Sequence, residues 1–458
     1  MSYATAVRIA KLADVNDGRA LIVGGWVRDK LLGRENKDVD VEVYGIPAER
    51  LRTLLASEFS RLNTVGESFT VYKVEDVDVS LPRTESKIGR GHRAFAVHGD
   101  PELPPKEAAR RRDFTLNAIA WDPLNNQYID EWNGRADLDN GILRAVDQHT
   151  FPEDSLRVLR GVQFAARFEF EMEPATRELC RTIRLDDLPS ERIWGEIEKL
   201  LLLADKPSIG LRLALELGVI EQLFPDIQAL VGCEQEPEWH PEGDVWVHTL
   251  MVVDQARTRI DDLERPQQIT VMLGALCHDL GKPPTTAFVD GRIRSMDHEQ
   301  AGVAPAERVL DRLNLHTVEG FDVRHHVLGM VAHHLKPLSF FKSVTPVGDG
   351  AFRRLSQKVD LELLARVAKS DCLGRTGEFD CSGIDWFAER ARELGVEHQP
   401  PEPIVKGRNL IELGVAPGPQ MGAILRELYE RQLDGRLTTL EEGMEAAREI
   451  VAREVMDR

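Results

Sequence analysis

Near residue 150 the hydrophobic pattern of this chain changes period, so its two sides cannot belong to one kind of structural layer. Up to about residue 147, short β-rich runs (Leu21-Ile22-Val23, Val39 to Val43, Val77-Asp78-Val79) alternate with glycine turns, as strands of an α/β unit do. From about Glu153 the apolar residues recur at helical spacing, in LRVLRGVQFAARF, ERIWGEIEKLLLL and GLRLALELGVIEQLF. QEPEWHPEGD, rich in proline, glycine and acids, reads as a linker, and the helices after it carry most of the histidines. A proline cluster, HQPPEPIVKGRN, precedes charged amphipathic helices. The expected order is an α/β head over 1–150, an all-α neck over 151–232, an all-α histidine-bearing domain over 233–384 and a helical tail over 385–458.

A length of 458 residues exceeds one ordinary core and fits about three domains of roughly 100–150 residues, or these four segments. With 42% hydrophobic and 29% charged residues, no apolar run of spanning length and no secretory leader, the expectation is a cytoplasmic protein with no membrane partner. Five cysteines at irregular spacing argue against a disulfide framework or a zinc knot and fit a reducing compartment. A net charge of −19 excludes indiscriminate coating of nucleic acid. Between Arg83 and Arg112, however, eight Lys/Arg face four acids, so any nucleic acid should be gripped at one place.

Gly24-Gly25 follows the strand LIV and opens a helix, a turn whose backbone N–H groups can meet phosphate oxygens. Lys37-Asp38-Val39-Asp40 begins the next strand, where residues two apart point the same way and Asp38 and Asp40 share one small volume. Neighbouring carboxylates repel unless a cation sits between them, and hard oxygen ligands suit Mg²⁺. Asp78, in Val77-Asp78-Val79, is the candidate third carboxylate.

GGWVRDKLLGRENKDVDVEVYG, RRDFTLNAIAWD, DEWNGRADLDNGILRAV, PEDSLRVLRGVQFAARF and ERIWGEIEKLL occur in the order found in class II tRNA nucleotidyltransferases, the CCA-adding enzymes, and their poly(A) polymerase relatives. This resemblance, over about the first 230 residues, implies a DNA polymerase beta-like mixed sheet in the head, catalytic Asp38, Asp40 and Asp78 with Mg²⁺, and transfer from CTP and ATP to a tRNA 3′ end. It also implies nucleotide contacts from Gly24, Gly25, Arg28, Arg111, Arg112, Asp113, Asn117 and Arg160. Glu191, Arg192, Glu196 and Lys199 match its last helical motif and support the neck. Trp26 departs from the family's usual small residue.

In Glu153-Asp154-Ser155-Leu156-Arg157, Asp154 and Arg157 are three apart and are expected on one helical face. Cytosine and adenine both present an amino donor beside a ring-nitrogen acceptor, so an acid and an arginine admit C and A while U and G meet mismatched groups. The segment Glu85 to Ala109 reads as the flexible loop that full CCA-adding members use for the final A. A poly(A) polymerase or an enzyme restricted to CC or A is the alternative.

His248, His278-Asp279 and Asp371 on successive helices resemble the HD phosphohydrolase domain, implying a divalent transition metal and activated water. His298 and one of His333 or His334, His333 being preferred, are spaced as further ligands. The implied substrates are 2′,3′-cyclic phosphates, 2′-nucleotides or esters at an RNA end. A further alternative makes this domain the working part and the head a non-catalytic binding module. A monomer or homodimer is expected.

Overall fold

The computed structural model describes residues 2–65, 71–87 and 95–456, and the chain divides into two compact units, Met1–Pro225 and Asp226–Arg458. The boundary falls shortly before the expected end of the neck.

In the first unit the strands are β1 (Arg19–Val23), β2 (Val39–Tyr44), β3 (Leu62–Val65), β4 (Val71–Val74), β5 (Val77–Ser80), β6 (Arg83–Lys87), β7 (Phe95–Gly99), β8 (Ala120–Asp122), β9 (Gln127–Ile129), β10 (Ile142–Leu143) and β11 (Glu171–Met172). Seven form a mixed sheet in the order β3-β4-β5-β2-β1-β8-β9, in which β2 and β5 are parallel and the other neighbours antiparallel. One face meets Ala6, Ile9 and Ala10 of the helix Ser2–Asp14 and Leu51 and Leu55 of the helix Ala48–Glu58. Val39, Val41, Val43, Val77 and Val79 point into that core, so alternation sends the acids of β2 and β5 to the opposite face.

β6 and β7 form a separate hairpin. The segment expected as a flexible loop, 85–109, carries the end of β6, β7 and the start of a helix at Pro105–Arg110, while residues 88–94 lie outside the described residues. Helices Leu156–Phe168, Ser190–Leu203 and Pro207–Glu216 pack together as the neck, whose β11 pairs in parallel with β10 of the head. Trp26 stacks on Tyr3 with ring centroids 5.3 Å apart and lies 5.2 Å from the Lys30 ammonium, so the family's small residue is replaced by an aromatic clamp on the first helix.

The second unit centres on four mutually packed helices, Val245–Arg257, Arg265–Cys277, Val323–His333 and Leu361–Leu373. It is not all-α. Two hairpins interrupt it, β12 (Thr286–Val289) with β13 (Arg292–Ser295), and β14 (Thr317–Val318) with β15 (Phe321–Asp322). The tail has its own small core, including Leu410, Ile424, Leu428 and Ala447. The expectation of free thiols is corrected for one pair: Cys372 and Cys381 are disulfide-bonded, their Cα atoms 6.0 Å apart across a loop joining two helices. Among the described residues no helix is long and apolar enough to cross a membrane.

Gly281 holds the second unit's centre together by lacking a side chain. A Cβ there would collide with the His298 carbonyl oxygen and lie 2.5 Å from the Gly302 nitrogen. Gly281→Ala is expected to lower the urea unfolding midpoint of this unit, a loss of about 1–3 kcal/mol. Gly195→Ala, inside the helix Ser190–Leu203 with nothing within 4 Å of the added carbon, should raise the stability of the first unit by about 0.5–1 kcal/mol in a urea titration.

Candidate functional site

On the open face of the first sheet, parallel register sets Asp40 beside Asp78 and Glu42 beside Ser80. Glu42 is buried and accepts from Arg111 Nη2 at 2.9 Å, Arg112 Nη2 at 3.0 Å and the Tyr44 hydroxyl at 3.0 Å. Burial pushes its carboxyl up, but Arg112 and Arg111 outweigh burial and hold it below the usual range. The sequence reading passed over Glu42, although it continues the alternation of Asp38 and Asp40 by one step. Its ion pairs fasten the arginine run against β2, beside the candidate catalytic acid.

Asp40 is open along the cleft but walled by protein elsewhere, and burial raises its carboxyl against the pull of Arg112, with Asp78, Glu42 and Asp38 adding to the rise. A cation relieves such crowding, and the donors are all hard oxygens. Asp38 sits just before β2 and is exposed, and Asp78 is exposed with its carboxylate 3.9 Å from Lys73 Nζ. Among the described residues, the groups whose ligand atoms lie within 4.8 Å of one another all belong to the second unit. The structure thus brings Asp40 and Asp78 to one face without closing the three aspartates on one centre.

Two adjoining cavities meet at Asp40, one of 370 Å³ and one of 270 Å³. The larger is lined by Gly24, Gly25, Arg28, Asp40, Arg111, Arg112, Asp113, Asn117, Asp154, Arg157 and Arg160, all read from sequence, together with Arg83, Leu156 and Arg192. Seven arginines against three aspartates make this the local positive site in an acidic chain. Gly24 has φ 74°, and a Cβ there would lie 3.3 Å from Asp40 Oδ2, so glycine both permits the turn and leaves the acid clear.

Inside the cavity the polar groups hold one another. Asp113 accepts from Arg160 Nε at 2.6 Å, Asn117 Nδ2 at 2.9 Å and the Phe114 amide at 2.7 Å. Burial raises its carboxyl, and Arg160 and Asn117 more than reverse the effect. Asn117 in turn accepts from Arg28 at 2.8 Å, and Arg28 bonds Asp29 at 2.7 Å.

Asp154 does not share a helix with Arg157. It lies in extended backbone two residues before the helix Leu156–Phe168, where it accepts from Arg192 at 3.1 and 2.9 Å. Arg157 is buried and donates to the carbonyls of Thr150, at 2.6 Å, and Arg111. Both still face the same cavity. Arg192, read only as support for the neck, orients one of the two.

The second unit holds a different cluster. His248 Nε2 lies 3.0 Å from Asp371 Oδ1, His278 Nε2 3.1 Å from Asp279 Oδ2, and His298 Nε2 3.4 Å from Asp279 Oδ1. The Nδ1 atoms of His278, His298 and His334 sit 2.8, 2.9 and 3.0 Å from the carbonyls of Ala275, Ser295 and Val331. A carbonyl only accepts, so each Nδ1 carries the proton and each Nε2 presents a lone pair inward. His298 Nε2 and His334 Nε2 are 3.2 Å apart, two lone pairs facing each other, an arrangement that fits a cation between or beside them. Burial, with His278 and His298, holds the His334 imidazole down to about 3, keeping it unprotonated.

The preference for His333 is corrected: His334 joins Asp279 and His298, while His333, its neighbour in sequence, belongs to none of the ligand groups among the described residues. His240 and Glu242 were hidden in the segment read as a linker. Glu242 Oε1 lies 2.9 Å from both His240 Nδ1 and His248 Nδ1, an anion bonded to His240 and packed behind the ring of His248.

Comparison with known proteins matches residues 20–144 to a poly A polymerase head domain, 169–230 to a probable RNA and SrmB-binding site of polymerase A, and 245–370 to an HD domain. The chain is 34% identical over 372 residues to a multifunctional CCA protein of Acinetobacter baumannii (strain AYE), covering 78% of this chain and 84% of that one. This chain belongs to the CCA-adding nucleotidyltransferase family. A multifunctional CCA protein of Laribacter hongkongensis is 37% identical over 303 residues, 65% of this chain and 71% of its own. Two solved structures share the fold of the family member described here. They are the Bacillus stearothermophilus CCA-adding enzyme in complex with CTP (TM-score 0.65, 21% identity, 99% and 98% of the two chains) and the Thermotoga maritima CCA-adding enzyme complexed with tRNA (0.59, 19%, 98% and 95%).

Glu42→Gln leaves two half-buried guanidiniums without their anion and is expected to cost about 3 kcal/mol in denaturant unfolding of the first unit. Asp78→Asn, at an exposed carboxylate, should change stability by under about 0.5 kcal/mol.

Proposed function

We propose that this chain builds CCA on tRNA 3′ ends from CTP and ATP, releasing pyrophosphate, and that its HD domain hydrolyses phosphate esters at RNA ends. The observation that carries the first activity is the single cavity holding the expected nucleotide-binding residues with Asp40 at its edge. Asp38, Asp40 and Asp78 would hold Mg²⁺, which when bound activates the 3′ hydroxyl and neutralises the triphosphate. Arg111 and Arg112, held against β2 by Glu42, line the cavity where triphosphate oxygens would lie. Asp154, held by Arg192, accepts the amino proton of C or A, and Arg157 reaches the ring nitrogen, its plane fixed by two carbonyls. A U or G would leave buried polar groups unpaired, about 1–3 kcal/mol for each.

In the HD domain the inward Nε2 atoms support a site for one or two divalent transition ions, which when bound supply a nucleophilic water. The ligands would be His248, His278, Asp279 and Asp371, with His298 and His334 completing the set. Lys282, 2.8 Å from Asp279, stands where it can meet a substrate oxygen. In this reading head (1–150), neck (151–232), HD domain (233–384) and tail (385–458) divide the work, and the chain acts as a monomer or homodimer in the cytoplasm.

Asp40→Ala should abolish CTP and ATP incorporation into a tRNA transcript lacking CCA while keeping hydrolysis of an adenosine 2′,3′-cyclic phosphate. Asp279→Ala should do the reverse. Loss of both activities in either variant, with the fold intact by circular dichroism, counts against two separate sites.

Arg192→Ala should raise misincorporation of UTP about tenfold, read by sequencing extended transcripts, because Asp154 loses its only side-chain anchor among the described residues.

A further inference from the structure

Above the histidine cluster lies a cavity of 270 Å³ whose floor includes Asp279, His298, His334 and Asp371 and whose wall includes Lys282 and Arg375. Its rim is different in kind. Trp239 lines it with 48% of its surface exposed, and Ile293 and Ser295 of β13 line it too. In the antiparallel register Thr286 faces Ser295 and Phe288 faces Ile293, and opposed residues project from the same face of a hairpin. Phe288, 75% exposed, therefore continues the cavity-side face one step outward.

The other face of the hairpin carries Arg292 and Arg294, both exposed. A two-stranded hairpin is marginal by itself, and a phenyl ring at its outer end adds almost nothing to its packing. The hairpin is nonetheless held in place. The Ile293 amide donates to Glu236 at 3.0 Å, and Arg292 pairs with Glu238 at 2.9 Å, which ties β13 to the segment that carries Trp239. Two exposed aromatic side chains are thus fixed along one path into an ester-sized cavity whose wall carries Lys282 and Arg375.

We infer that Trp239 and Phe288 form a base-stacking lip that feeds the single-stranded 3′ end of an RNA into the HD site. This rests on the hydrolase reading of that site. The terminal base stacks on Trp239 while its phosphate enters toward Lys282 and Arg375, and the preceding base lies on Phe288. Stacking on aromatic faces is indifferent to sequence, which suits an enzyme that must accept any damaged end. The positive charge lies at the inner end of the path, where Lys282 and Arg375 line the cavity that receives the phosphate.

The test uses the full chain with Mn²⁺ or Ni²⁺, without CTP or ATP, on three substrates: glycerol 1,2-cyclic phosphate, adenosine 2′,3′-cyclic phosphate, and a short oligoribonucleotide ending in a 2′,3′-cyclic phosphate. Trp239→Ala should raise KM about tenfold for the mononucleotide and the oligonucleotide and leave the base-free ester unchanged, with Trp239→Phe restoring most of the loss. Phe288→Ala should raise KM only for the oligonucleotide. Equal effects on all three substrates, or none on the oligonucleotide, overturn the lip. If the native protein hydrolyses none of them, the hydrolase reading fails by itself, and the lip is judged by ultraviolet cross-linking of the same oligonucleotide. Adducts on the peptides containing Trp239 and Phe288 support it. Their absence, or cross-links there between two copies of the chain, overturns it.

Discussion

One buried carboxylate organises the first unit. Glu42 stands on β2 two residues from Asp40 and draws Arg111 and Arg112 onto the sheet. Without that ion pair the arginine run would extend into solvent, the usual preference of such residues. With it, the run closes the cleft between sheet and neck, and Arg157 can bond the Arg111 carbonyl while Arg160 pairs with Asp113. Glu42 is thus linked through Arg111 to Arg157, one of the two side chains read as choosing the base. The net acidity of the chain costs this site little, because its cations are concentrated where phosphate is to be held.

The second unit solves a related problem with backbone. Three imidazoles are each fixed by a carbonyl three residues earlier, His278 and His334 at helix ends and His298 by the end of β13, so their tautomers are set by backbone and need no carboxylate partners. Glu242 packs behind the ring of His248. Gly281 allows the segment bearing His298 to approach within contact of the His278-Asp279 turn, which gives a steric meaning to the glycine that follows the motif.

Much of this was legible in the sequence, for identifiable reasons. The change of period near residue 150 marked the passage from sheet to neck because burial on one face leaves its period in the chain. Eleven of the cavity residues of the first unit were read through motifs, while Arg83, Leu156 and Arg192 join them only in the fold. Glu42 was missed because an acid on a strand reads as solvent-facing until its arginines, about 70 residues away, are placed. His334 displaced His333 because adjacent helical residues differ by about 100° in direction, and only the packed helix decides which one turns inward. Asp154 left the helix because its side chain bonds the Leu156 amide, a helix-start habit of aspartate that a spacing argument overlooks. The β12–β13 hairpin and the Cys372–Cys381 pair depend on contacts that no local pattern announces.

The central claim is that the first unit adds C and A in a fixed order and stops. It is tested most directly by offering a tRNA transcript that ends before CCA all four nucleoside triphosphates together with Mg²⁺ and sequencing every product. The account predicts a single population ending in CCA, with U and G absent. Long runs of A, products that stop at CC, or free incorporation of all four bases would contradict it.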